Sequence, residues 1–277
     1  MDALDRSSLP RRASPQSRAA LPRDVGATPA LDSIFAEVLE RGLKDLALDL
    51  DPAARAAIEG HARLLLAWNE HVNLSGLRTP EQVARGHVLD SLIAVAPLRA
   101  LISGDQLTLL DLGSGGGFPG LPLAVALPAQ RAALVDSIGK KAAFLKVAAG
   151  VARDLVAIDV LAERAEDLAD EPDQRESWDI VTARAVGHIA EVAELGLPLV
   201  KVGGHVVAWK SAGVESELVD ASRIIGAVGG NKARVVELPA AAKVGLAGHC
   251  LVVIEKIRPT PDGYPRTPGE RRRRPLG

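Results

Sequence analysis

The residues best suited to chemistry lie around one glycine turn, Asp111-Leu112-Gly113-Ser114-Gly115-Gly116-Gly117-Phe118-Pro119-Gly120, preceded by the apolar pair Leu109-Leu110. The pattern reads as a buried strand ending in an acid, a turn free of side chains, and a helix start. A second acid, Asp136, closes the run Arg131-Ala132-Ala133-Leu134-Val135 and stands 25 residues after Asp111. Glycines permit positive φ and leave no Cβ in the way of a ligand. At the carboxyl edge of an open parallel sheet, such a turn makes a crevice for a nucleoside. Three readings compete: S-adenosylmethionine (SAM), a dinucleotide, and a purely structural turn. Residues 115–120 satisfy G-x-G-x-x-G, the dinucleotide fingerprint. Asp111 opposes that reading by bringing a carboxylate to the place of a pyrophosphate. Pro119 opposes it by removing a phosphate-cradling N–H. SAM has no phosphate, and its ammonium and sulfonium groups welcome a carboxylate. Asp136 could accept both ribose hydroxyls. The residues favour SAM, with Asp111, Gly113, Gly115 and Asp136 as its expected contacts.

Holding these residues in place requires an alternation of strands and helices, and the pattern from residue 107 onward supplies it. Strands are expected at 107–112, 131–136, 156–161, 178–182, 203–209, 232–238 and 248–256, with helices at 119–127, 138–150, 188–199 and 214–228. The last two strands lack an intervening helical pattern. The expected fold is α/β, a Rossmann-like seven-stranded and mostly parallel sheet at residues 101–257. Before it, residues 30–100 hold three amphipathic helical patterns, opened by Asp32-Ser33, Asp51-Pro52 and Thr79-Pro80, which predict a helical cap. Residues 1–29 hold Pro10, Pro15, Pro22 and Pro29 without apolar periodicity and are expected to be a disordered extension. Residues 258–277 form a basic tail.

Composition narrows the classes. With 277 residues, 47% hydrophobic and 25% charged, the chain can bury a sizeable core. The formal net charge of -2 gives no global sign of a polyanionic partner. Residues 256–277, however, carry seven basic residues against two acids, which suits either a phosphate-contacting arm or a solvated end. The single cysteine, Cys250, excludes an intrachain disulfide and a cysteine-based metal cluster. No apolar run approaches the ~20 residues of a membrane span, and the N-terminus resembles no secretory signal. A cytoplasmic monomer without a metal and without a membrane partner is expected.

Several blocks in order resemble one family, the bacterial 16S ribosomal RNA guanine-N7 methyltransferases (the RsmG or GidB family). They are Trp68-Asn69-Glu70-His71-Val72-Asn73-Leu74, Arg85-Gly86-His87-Val88-Leu89-Asp90-Ser91, the glycine turn, Val135-Asp136-Ser137-Ile138-Gly139-Lys140-Lys141 with Phe144-Leu145, Ala183-Arg184-Ala185, and Tyr264-Pro265-Arg266-Thr267-Pro268-Gly269. The resemblance covers about residues 31–277. It implies a class I SAM-dependent methyltransferase that methylates N7 of a guanine in the 530 loop of 16S rRNA in the small ribosomal subunit. It also implies SAM contacts at Gly113, Phe118, Ala165, Glu166 and Arg184. One departure is Lys210-Ser211, where the family often has Lys-Gly.

Guanine N7 carries an unprotonated lone pair at neutral pH, so attack on a sulfonium methyl needs no general base and catalysis reduces largely to positioning. The chain agrees by lacking an Asn/Asp-Pro-Pro-aromatic motif after its fourth expected strand and a cysteine there. Candidates for positioning the substrate are Arg184, Asn73 and His87. Candidates for contacting RNA are Arg85, Lys140, Lys141 and Arg266. Phe118, Trp209 and Tyr264 are the few aromatic candidates for base stacking. The alternatives are a small-molecule methyltransferase of the same fold, a non-catalytic ribosome-assembly RNA-binding module, and an NAD-dependent oxidoreductase.

Overall fold

The structure is a computed structural model that describes residues 20–102, 104 and 106–275. Helix α1 (Ser33–Asp45) and helix α2 (Pro52–Asn69) form where the sequence predicts them, although Asp32 precedes α1 without a side-chain capping bond. Asp51 accepts a hydrogen bond from Ala54 N at 2.8 Å, and Pro52 takes the first helical position, where a missing N–H costs nothing. The third helical pattern breaks into pieces: α3 (Pro80–Val83), a π-helical turn Ala84–Leu89, α4 (Asp90–Leu92) and α5 (Val95–Arg99). Pro97 has no N–H for the carbonyl of Ile93, so the helix is interrupted there and α5 restarts with the proline in its first turn. The π turn rotates His87 and Asp90 relative to an ideal helix, and such turns recur at functional sites.

Strands β1 (Leu107–Leu112), β2 (Ala129–Val135), β3 (Ala157–Leu161), β4 (Trp178–Arg184), β5 (Val200–Ser211), β6 (Arg234–Glu237) and β7 (His249–Glu255) form one sheet in the order β3-β2-β1-β4-β5-β7-β6. The first five run parallel, and β7 pairs antiparallel with both β5 and β6. A 3₁₀ helix, Pro239–Val244, joins β6 to β7, where a bare hairpin was expected. Connecting the strands are α6 (Gly120–Ala126), α7 (Gly139–Ala149), α8 (Ala165–Leu168), α9 (Ile189–Gly196) and α10 (Glu215–Ala227). The strand order reverses direction between β1 and β4, and such a switch point opens a crevice at the carboxyl edge.

Alternation along β1 divides the core. Leu107 and Leu109 face a core that takes in Phe35, Ile58, Leu65 and Val88 of the cap together with Leu121 and Phe144. Leu110 and Leu112 face the opposite core, built with Ile189, Val192 and Ile224. The cap therefore shares its core with one face of the sheet.

Two sequence expectations are corrected here. Residues 1–19 of the expected disordered extension lie outside the described residues, but residues 20–29 are held on α2. Trp68 Nε1 donates to the carbonyl of Pro22 at 2.8 Å. Arg63 donates to the carbonyls of Val25, Thr28 and Pro29 at 3.2, 2.7 and 2.9 Å. The basic tail is not a free arm as far as Arg271, whereas Arg272, Arg273 and Arg274 are exposed. Lys256 is fully buried, with Nζ donating to Glu176 Oε1, the Leu197 carbonyl and Thr260 Oγ1, each at 2.7 Å. Arg175 donates to the carbonyls of Thr260, Pro261 and Tyr264. Beyond them, Arg266 makes a forked pair with the buried Glu194 at 2.7 and 2.6 Å, and α11 (Pro268–Arg273) follows. Buried carboxylates need such partners, and the tail's arginines supply them.

Arg63→Ala is expected to destabilise the chain by about 1–3 kcal/mol, since three carbonyls lose a charged donor. Urea unfolding measures it, and an unchanged midpoint would show that residues 20–29 add nothing to stability.

Candidate functional site

The glycine turn sits at the switch point. Ser114 N donates to the Val135 carbonyl at 2.9 Å, and Gly115 N donates to Asp136 Oδ2 at 3.0 Å. Gly113 has φ +67, and a Cβ there would stand 2.9 Å from Val186 Cγ2, so only glycine passes between the two strand ends without strain. Gly120 opens α6 against β1, where a Cβ would lie 2.7 Å from Asp111 Cβ.

Asp111 does not reach the cavity that this turn helps to line. The alternation that points Leu109 toward the cap points Asp111 the same way. Its carboxylate is fully buried, accepting from Gly120 N at 3.1 Å and Thr182 Oγ1 at 2.8 Å. Burial raises its pKa from 3.8 to about 6, against the lowering pull of Thr182, Ser114, Gly120 and Arg184. The expectation that Asp111 greets a ligand's cationic end is corrected: it fastens α6 to β1 and β4.

Asp136 does reach the cavity. Oδ2 takes the Gly115 N–H and Oδ1 takes the Ile138 N–H at 2.9 Å, while Lys141 Nζ stands 3.7 Å from Oδ2. The cavity of about 210 Å³ is lined by Gly113, Asp136, Ala165, Glu166, Glu191 and Arg271 among others. Its charged lining comprises the carboxylates of Asp136, Glu163, Glu166 and Glu191 against the guanidiniums of Arg164 and Arg271. A cation suits that balance better than a phosphate does. The lining brings together four of the eight residues expected to bind a cofactor: Gly113, Asp136, Ala165 and Glu166. Gly115 stands beside it, hydrogen-bonded to Asp136.

Phe118 and Arg184 are placed elsewhere. Phe118 is buried between the rings of His61 and His87, at centroid distances of 4.3 and 4.6 Å. Arg184 lies over the same ring at 5.9 Å. It donates to Asp90 Oδ2 at 2.6 Å and to the Gly86 carbonyl at 3.2 Å, and stands 2.9 Å from His87 Nδ1. An arginine can only donate, so His87 Nδ1 accepts and its proton sits on Nε2, which donates to Ser75 Oγ at 2.6 Å. Burial and the Arg184 charge push the His87 pKa down to about 3. His61 Nε2 donates to the Gly116 carbonyl at 2.7 Å, and burial lowers its pKa to about 4. Both histidines are neutral at neutral pH and only weakly basic. Asp90 Oδ1 accepts from His249 Nδ1 at 2.7 Å, and the Asp90 carbonyl accepts from Trp209 Nε1 at 2.8 Å.

The remaining candidates are scattered. Lys140 is exposed at the start of α7, and Lys141 is paired with Asp136. Arg85 joins the Val244 carbonyl to Glu81, and exposed Asn73 accepts from Arg78. Arg266 is committed to Glu194. Of the expected stacking aromatics, Phe118 and Trp209 are buried, and Tyr264 is half-buried under Arg266. Sequence reasoning did not select His61, Asp90, His249 or Arg271 as site residues. Their partners lie 55 to 159 residues away for the first three and 105 for Arg271, and no local pattern marks such pairs.

The family model "GidB: rRNA small subunit methyltransferase G" matches residues 54–243. The chain belongs to this family. Among its relatives, the ribosomal RNA small subunit methyltransferase G of Roseiflexus sp. (strain RS-1) is 44% identical over 76% of this chain and 87% of its own. That of Deinococcus radiodurans is 41% identical over 89% of this chain and 95% of its own. A solved structure from Listeria monocytogenes, a putative class I S-adenosylmethionine-dependent methyltransferase, superposes with a TM-score of 0.51 at 18% identity, covering 87% of this chain and 82% of that one. That likeness establishes the class I methyltransferase fold for this family member. Among the described residues, no group of three or more His, Cys, Asp or Glu could hold a metal ion, and no helix is long and apolar enough to cross a membrane.

A buried acid with a raised pKa contributes stability that is fully present below its unfolded value of 3.8 and is lost as pH rises through about 6. Asp111→Asn should therefore gain stability relative to the parent chain between about pH 4 and pH 7, by up to about 3 kcal/mol. Urea unfolding at stepped pH tests this; a difference that stays flat across the window would mean that the carboxylate ionises without penalty.

Proposed function

We propose that this chain transfers the methyl group of SAM to N7 of a guanine in the 530 loop of 16S rRNA, working in the cytoplasm on the small ribosomal subunit. The observation that carries the reading is the acid-lined cavity beside the glycine turn, in a chain of the methyltransferase G family. SAM would supply an electrophilic methyl on its sulfonium. Gly113 and Gly115 would let its methionine end pass close to the backbone, and Ala165 would give an apolar contact for adenine. The free lone pairs of Asp136 and Glu166 would accept its hydroxyl and amine hydrogens. Arg184 would act from the other side of the turn, bracing the cap rather than reaching the cofactor.

This chain needs no group to take a proton from guanine N7. The two histidines nearest the turn are neutral, and every nitrogen they direct at a partner is already used except His61 Nδ1, which is buried. What the fold supplies is a held geometry, which is worth a large effective concentration. Lys140, Lys146 and the exposed Arg272, Arg273 and Arg274 are the proposed phosphate contacts, since none has an ion-pair partner among the described residues.

The test is transfer of labelled methyl from SAM to small subunits isolated from cells lacking this gene, followed by reverse-transcription mapping of N7-methylguanine. Label at one guanine of the 530 loop is expected; label only in metabolites, or none, would overturn the reading. Asp136→Asn should raise the KM for SAM by about tenfold with a smaller change in kcat, as loss of one charged acceptor predicts. The kcat should be flat from about pH 7 to pH 9, because no base titrates there. A steep rise in that range would show that a general base was overlooked.

A further inference from the structure

The tail enters the site at one point. Arg271, on α11, is half-buried and its guanidinium pairs with Glu166 and stands 3.9 Å from Glu191. Arg271 and Glu191 line both the 210 Å³ cavity and a neighbouring 550 Å³ cavity between α9, α10 and α11. They are therefore part of the partition between the two. The guanidinium is held from behind as well, donating to the Arg266 carbonyl at 2.7 Å. Arg266 is itself clamped to the buried Glu194 at 2.7 and 2.6 Å. A capping box, with Thr267 and Glu270 bonding reciprocally, starts the helix that carries it.

We infer that Arg271 is a positioning residue of the cofactor site: from the C-terminal helix it fixes the Glu166 carboxylate at the cavity wall. This rests on the SAM reading of that cavity. The physical need is plain from the lining. Glu163, Glu166 and Glu191 share one small cavity with Asp136, and carboxylates so placed repel one another unless a cation is set among them. Arg164 is exposed at the rim, whereas Arg271 is enclosed and paired. A fork-shaped guanidinium directs a carboxylate in a way that a point charge does not. The tail thus serves as a wall of the cofactor site at Arg271, while Arg272, Arg273 and Arg274 remain exposed beyond it.

The test is calorimetric binding of S-adenosylhomocysteine and of SAM to the full-length chain, without RNA. Arg271→Ala should weaken both by about tenfold, the effect of removing a charged hydrogen bond that fixes a binding carboxylate. Arg271→Lys should recover only part of that loss. Glu166→Gln should weaken binding similarly, and the double variant should be no worse than either single one, because the two residues act as a unit. Arg223→Ala, exposed on α10, should leave both affinities unchanged. An Arg271→Ala chain that binds both ligands like the parent overturns the inference while leaving the SAM reading intact. So does a loss in Arg271→Ala that adds fully to that of Glu166→Gln. A parent chain that binds neither ligand overturns the SAM reading and this inference with it. An RNA-contact role for Arg271 would appear instead as a shallower salt dependence of subunit binding with ligand affinity unmoved, and that outcome also overturns the inference.

Discussion

The cap shares an apolar core with the sheet and is tied to it by a largely buried ion pair, Arg184 with Asp90, whose side chains are 18% and 4% exposed. Attraction alone would not justify burying two charges, since desolvation can cancel it. Here the remaining hydrogen-bonding capacity is filled as well. Arg184 also serves the Gly86 carbonyl and His87, and Asp90 also serves His249 and, through its carbonyl, Trp209. The π turn at Ala84–Leu89 presents the Gly86 carbonyl and His87 at its heart, with Asp90 next in the chain. The end of β4 presents the arginine, so each side of the interface is shaped for the other. Removing either charge would strand its partner in a dry site, which is far more costly than losing a surface pair. The junction reaches the glycine turn through His87, which stacks on Phe118, itself stacked on His61.

The same buried groups set opposing responses to acid. His61 and His87, lowered to about 4 and about 3, contribute stability that is present above their ordinary value of 6.5 and lost as pH falls through their folded values. Asp111, raised to about 6, contributes in the other direction. Over the span from pH 4 to pH 6, the histidines lose stability on acidification while Asp111 regains it. Asp111, whose main task is to fasten α6, thus offsets part of the acid sensitivity that these two histidines confer.

The sheet, its order of elements and the glycine turn were legible in the sequence because period-two and glycine signals are local. Leu107, Leu109 and Leu110 announce a strand without help from distant residues. Asp136 was legible for the same reason, as an acid ending a second strand. Asp111 was misread because its position at a strand end was clear while the face it points to depends on register. Phe118 and Arg184 carried the family's expected role, but their contacts with His87 and Asp90 arise only when the cap docks. The sequence predicted one third cap helix; Pro97 accounts for the interruption before α5, whereas no local pattern marks the π turn that carries His87. The tail was hardest to read. Its charges suggested an arm, and only the fold shows that Glu194 and Glu166 were waiting for Arg266 and Arg271.

That redistribution of charge bears on how a chain with a net charge of -2 approaches a polyanion. With a Debye length of about 8 Å at physiological salt, RNA responds to what lies near its contact face rather than to the total. Arg266, Arg271 and Lys256 are neutralised internally and drop out of that field. Beside the cavity, exposed basic residues stand at two places. Lys140 and Lys146 lie on α7, which starts just after Asp136 and Ser137 of the lining; Arg272, Arg273 and Arg274 follow Arg271, which also lines it. The walls themselves are acidic. A phosphate backbone is therefore attracted to the flanks and repelled from the interior; on the proposed reading of the cavity as the SAM site, these electrostatics favour RNA at its mouth and keep phosphates out of it.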